Sequence, residues 1–140
     1  MVNRGASLEA RNKEDYTPLL KATFNGHREI CEFLVQNGSN IEVTDLNNMT
    51  PLFYSSDHYK KLEIFQLLVK KGADLNRRAG KNSITILQKA SLHGCYEIVR
   101  ILLVGIGNNY NNTASDQNAA LELAKSKGHS KIVTILKAYV

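Results

Sequence analysis

Four stretches of the chain carry the apolar stripe of an amphipathic helix, with hydrophobic side chains at i, i+3 and i+4 spacing among polar ones. They are built on Ile30, Phe33 and Leu34, on Ile64, Leu67 and Leu68, on Ile98 with Leu102 and Leu103, and on Ile132, Ile135 and Leu136. A shorter apolar segment precedes each stripe, at Leu19 and Ala22, at Leu52, at Leu87 and Ala90, and at Leu121 and Ala124. Gly26, Gly94 and Gly128 separate the short segment from the long one, and Gly38, Gly72 and Gly107 follow the stripe where a helix-ending glycine belongs. The pattern predicts a pair of helices, issued four times.

The start of the short helix is marked most clearly by Thr17-Pro18-Leu19 and Thr50-Pro51-Leu52, 33 residues apart. Threonine is a good N-cap, and proline at the next position gives up only a donor that has no partner inside the helix. Read at this period, the chain divides into units at 12–44, 45–78, 79–113 and 114–140, the last more polar outside as a C-terminal capping repeat should be. Residues 1–11 match the tail of a unit whose helices are missing, so the expectation is a monomer or a fragment of a longer array. Two irregularities are predicted, each one residue long. One is at Asp57-His58-Tyr59-Lys60, where the inter-helix glycine is absent, and the other at Val104-Gly105-Ile106-Gly107.

These units resemble the ankyrin repeat, a unit of about 33 residues centred on T-P-L-H-x-A. The likeness lies in T-P-L-x-x-A at Thr17–Ala22, in Gly26-His27-Arg28-Glu29-Ile30 and in the run Leu67 to Asn76, and it extends over essentially the whole chain. The resemblance implies an all-α ankyrin-repeat solenoid: stacked helix-turn-helix units joined by hairpin-like turns, each burying its apolar face against its neighbours. The interface is then expected to hold Leu19, Ala22, Ile30, Leu34, Leu52, Ile64, Leu68, Leu87, Ala90, Ile98, Leu102, Leu121, Ala124, Ile132 and Leu136. The family's histidine after Leu is replaced by Leu20, Phe53, Gln88 and Glu122, so its hydrogen-bond network should be missing.

Ankyrin-like proteins bind partners with their turn tips and with the open positions of the first helix of each unit, which together form a concave groove. Those positions here are Tyr16, Phe24 and Asn25, then Leu46, Met49, Asp57, His58 and Tyr59, then Ile84, Leu92 and His93. The large apolar members, Tyr16, Phe24, Met49, Tyr59, Ile84 and Leu92, are expected to form an exposed strip of the kind that marks interaction sites. The competing reading is that Phe24 and Leu92 fold back as extra core.

Composition adds limits. The 140 residues carry a formal net charge of +5, and Lys60, Lys61, Lys70, Lys71, Arg77, Arg78 and Lys81 concentrate much of the excess. This is read as a solvated face. The rival is an electrostatic binder of nucleic acid or acidic surfaces through the Lys60–Lys81 region, but no RNA-binding or DNA-reading motif accompanies the charge. No apolar run is long enough to span a bilayer, and the chain opens without a secretory signal. Cys31 and Cys95, two units apart, do not form a disulfide framework. A cytoplasmic or nuclear location is expected. No phosphate-binding loop, zinc helix or paired-cysteine site is present. His27 and His129 occupy a structural turn position, and His58 and His93 lie at inter-helix turns. The expectation is therefore a protein-binding module without catalysis, cofactor or metal.

Overall fold

The computed structural model describes residues 7–105 and 110–139. Eight α-helices lie among them: α1 Pro18–Phe24, α2 Arg28–Gln36, α3 Pro51–Tyr54, α4 Leu62–Lys70, α5 Ile86–Leu92, α6 Tyr96–Arg100, α7 Ala114–Ser126 and α8 Ser130–Tyr139. Packing contacts run from α1 to α3 to α5 to α7 and, in parallel, from α2 to α4 to α6 to α8. The helices thus form two layers, an inner row of odd-numbered helices and an outer row of even-numbered ones. Among the described residues the only extended pairing outside turns is an isolated bridge between Ala79 and Ile84.

Threonine starts every inner helix. The hydroxyls of Thr17, Thr50 and Thr85 accept from the backbone N–H groups of Leu20, Phe53 and Gln88 at 3.3, 3.4 and 3.2 Å. Gln88 returns the bond, its side-chain oxygen accepting from Thr85 N–H at 3.1 Å, so the residue standing in for the family's histidine closes a capping box. In the last unit Ala119 cannot cap. The helix runs back to Thr113, which accepts from Asp116 N–H at 3.1 Å, and α7 is 13 residues long as a result.

Both irregularities take a definite form. In the second unit α3 is only four residues long. The chain then reaches α4 through a 3₁₀ turn, Tyr59–Lys61, capped by His58 Nδ1 accepting from Lys60 N–H at 3.1 Å. In the third unit α6 continues into a π-helical turn at Ile101–Gly105, the usual way for a helix to house an extra residue. Gly107, the neighbouring asparagines at 108–109 and the start of the expected N-terminal tail fall outside the described residues.

The interface residues are buried as expected, with two corrections. Leu121 is only half-buried against the core, because α7 turns its alanines Ala120 and Ala124 inward instead. Ile30 is 50% exposed, whereas its counterparts Ile64, Ile98 and Ile132 are each 1% exposed. Ile132 sits on the last helix and is still covered, so this column is sealed by the preceding unit. No outer-row helix is described before α2, and Ile30 and Phe33 both stand in the open.

The turns are linked along the stack by polar bonds about one unit long in sequence. The Glu9 carboxylate accepts from Asn40 N–H at 3.0 Å, and that of Glu42 accepts from Asp74 N–H at 2.8 Å. Asn76 Oδ1 accepts from Asn111 N–H at 2.8 Å. Arg11 donates to the carbonyl of Thr44 at 2.9 Å. At the end of the stack a single nitrogen of Arg78, Nη2, lies 2.9 Å from both oxygens of Asp116, a charge-assisted contact.

Candidate functional site

The inner row is where the open positions of α1, α3 and α5 meet. Its first feature is a cluster of three rings. Tyr16 and Phe24 stack with centroids 6.0 Å apart, and Tyr54 meets both edge-on at 6.1 and 5.6 Å. These are favourable separations for aromatic pairs. Tyr54 is fixed from below, its hydroxyl donating to the Asp45 carboxylate and lying 3.4 Å from that of Tyr16. Burial first, and then the bond to Asp45, push the Tyr54 phenol well above its ordinary value, so it stays protonated. Phe24 is the open member, 44% exposed.

Lysines border the rings. Lys21 Nζ lies 5.8 Å from the Tyr16 centroid and 5.9 Å from that of Phe24, and Lys61 Nζ lies 5.6 Å from the latter, within cation–π range. Lys61 also donates to Asp57 at 2.9 Å and to the Tyr54 carbonyl at 3.3 Å. Farther along, burial holds the half-buried Lys89 ammonium on α5 below its ordinary value, with Asp57 opposing the shift and Lys61 adding to it. His93 is lowered too, first by partial desolvation and next by Lys89.

The sequence-derived positions fall into three groups. Tyr16, Phe24 and Asp57 converge on this face, joined by His93 at the end of α5. Leu46, 85% exposed, Asn25 and Tyr59 stand in solvent. His58 is exposed but occupied, capping the 3₁₀ turn and stacking on Tyr59 at 4.6 Å. Ile84 and Leu92 are half-buried, Ile84 in the bridge to Ala79. Met49 is the correction: it is 9% exposed and part of the core. The Asp45 carboxylate accepts from Met49 N–H at 2.9 Å and folds the turn over it.

Sequence reasoning passed over Tyr54, Lys21 and Lys89. They occupy one position, four residues after Thr50, Thr17 and Thr85, so aligning the units on the capping threonine would have found all three. The basic region is only partly available. Arg78 is held by Asp116 and Arg77 lies 3.8 Å from Glu42, while the exposed lysines are spread over the 3₁₀ turn (Lys60), the end of α4 (Lys70, Lys71) and the turn before α5 (Lys81).

Among the described residues no cluster of His, Cys, Asp and Glu could hold a metal ion, and no helix is long and apolar enough to cross a membrane. Cys31 and Cys95 are buried free thiols. Burial raises both, Cys95 to about 11, which leaves them protonated and unreactive.

Comparison with known proteins agrees with this architecture. Residues 1–79 match a family described as ankyrin repeats (3 copies), and residues 58–103 match ankyrin repeats (many copies). The ankyrin repeat and KH domain-containing protein mask-1 of Caenorhabditis elegans is 30% identical over 97% of the chain. Alpha-latrotoxin-Lg1a of Latrodectus geometricus is 33% identical over 57% of it, and the mouse protein fem-1 homolog A-like 35% over 70%. The chain spans only 5%, 6% and 14% of the length of these three relatives.

Proposed function

Since the chain belongs to the ankyrin-repeat family, whose repeats generally act in protein interaction, we propose that it binds a protein partner through its inner face and turn tips and performs no chemistry of its own. The observation that carries this reading is Phe24, an exposed ring packed against both Tyr16 and Tyr54. A preorganised aromatic loses little freedom on binding, which is why such residues dominate interface energetics. Tyr16, Asp57, Tyr59, Leu92 and His93 surround or continue this face, and Leu46 and Asn25 extend it to the tips.

The test is affinity capture of partners with the intact chain and with Phe24→Ala, each shown by thermal melting to be folded. A loss of more than about 1 kcal/mol in partner affinity is expected. Unchanged affinity would place the binding surface elsewhere.

A second reading, a spacer unit in a longer array, is supported by the open side chains of Ile30 and Phe33 on α2. Substituting both with Ser would leave partner binding by the inner face intact but disturb stacking in a longer chain.

A further inference from the structure

We propose that the inner face selects an extended acidic peptide segment of its partner, in which an apolar side chain covers Phe24 and nearby carboxylates meet Lys21, Lys61 and Lys89. The inference rests on the reading that this face is the binding face, and it adds the chemistry of what is bound.

The argument is one of unequal charge in a confined place. Among the described residues Lys21 has one carboxylate paired with it, that of Glu14 at 3.7 Å, and both side chains are partly in solvent. Such a pair is weak and readily exchanged. Lys61 is more buried and bonded to Asp57 and the Tyr54 carbonyl, which leaves one of its three N–H donors. Lys89 is half-buried and makes neither a hydrogen bond nor an ion pair among the described residues. Asp57 is the carboxylate facing this group, and Lys61 already engages it. Asp45 is committed to Tyr54. The face therefore carries three ammonium groups and too few anions, with one ammonium partly desolvated and unpaired. A second carboxylate would satisfy Lys89 and share Lys61, whereas an incoming cation would meet repulsion from all three.

The apolar component follows from geometry. Lys21 and Lys61 lie 5.9 and 5.6 Å from the Phe24 centroid, so their Nζ atoms are separated by no more than about 12 Å. An extended chain advances roughly 3.3 Å per residue. One short segment of about four or five residues can therefore place an apolar residue on the ring and acidic residues on both ammoniums. Nucleic acid fits less well, because the remaining basic residues are spread over the 3₁₀ turn, the end of α4 and the turns beyond it, and two of them are engaged by Asp116 and Glu42.

The experiment is selection from a random dodecapeptide phage library on the intact chain, followed by fluorescence-anisotropy titration of the selected peptides. Supporting results are peptides rich in Asp and Glu around an apolar residue. Their affinity should fall roughly tenfold with Lys89→Gln or Lys21→Gln, and also as NaCl is raised from about 50 to about 300 mM. The Lys21 side chain is 43% exposed and the ion pair its Nζ makes with Glu14 is loose, so Lys21→Gln is expected to retain the fold even where Lys89→Gln does not. Selected peptides with no acidic bias that still lose affinity with Phe24→Ala would overturn the acidic assignment and leave the binding face standing. Peptides indifferent to Phe24→Ala would overturn both. Failure to select any peptide would overturn the peptide assignment, with partner capture remaining the test of the face. Competition by an oligothymidylate at equal charge concentration would overturn it in favour of nucleic acid.

Discussion

Gly94 joins α5 to α6 with φ of 75°, and a Cβ built on it would lie 2.6 Å from Cε1 and 2.9 Å from Nδ1 of His129. Gly128, at the corresponding place in the next unit, has φ of 74° but open space around its Cβ position. The two glycines therefore separate a backbone cost from a packing cost. Placing alanine in the left-handed region costs about 1–2 kcal/mol, and Gly128→Ala should lose that much. Gly94→Ala pays the same cost and must also displace the His129 ring, whose Nε2 donates to the Leu92 carbonyl at 3.1 Å across the unit boundary. Losing that bond adds about 1 kcal/mol, and moving the ring adds a similar amount, so the total is about 3–4 kcal/mol. Urea unfolding followed by far-ultraviolet circular dichroism measures both variants. In a His129→Ala background the excess should vanish, because the obstruction and the bond are already gone. Equal losses for the two glycine variants, or an unchanged Gly94→Ala loss in that background, would refute the reasoning.

Three further outcomes follow from the same structure. Ile64→Ala should cost about 2–4 kcal/mol in urea unfolding, but Ile30→Ala less than about 1, since only the first creates a buried cavity. Burial alone would raise the Asp116 carboxyl, but the Thr113 hydroxyl and Arg78 outweigh it and hold it below its ordinary value. Its stabilisation is therefore complete above the unfolded carboxylate value, about 4, and is lost as pH falls through the lower folded value. Asp116→Asn should remove that part of the acid dependence of the urea midpoint and cost about 1–3 kcal/mol at neutral pH. Finally, a thiol-reactive chromophore at mildly alkaline pH should label Cys31 and Cys95 only as the chain unfolds, because both are buried and Cys95 ionises near 11; rapid labelling of the native protein would contradict this.

The helices were legible because their signals are local. Stripe phase, capping threonine and N1 proline act within one turn of the chain, and α1, α2, α4 and α5 begin where those signals stand. What depends on neighbours was not. Ile30 has the same sequence surroundings as Ile64, and only the presence of a covering unit separates their fates. Met49 looks like an open tip residue until the Asp45 carboxylate closes the turn over it. The early start of α7 was hidden because Ala119-Ala120-Leu121 occupies the repeat position, while the effective cap, Thr113, lies in what reads as loop. The ring cluster was half visible: Tyr16 and Phe24 were identified as open, but Tyr54, which fixes their geometry, is itself buried. Two engaged cations, Arg77 and Arg78, likewise looked free in a charge count.

The carboxylate and amide hooks between successive turns have a mechanical consequence. Glu9 to Asn40, Glu42 to Asp74 and Asn76 to Asn111 are arranged in series, each fastening one tip to the next. A tether drawn between the two ends would put the full force on every one of these latches instead of sharing it among them, so they give way one at a time. The chain should then lengthen under tension in discrete steps, each releasing about one unit.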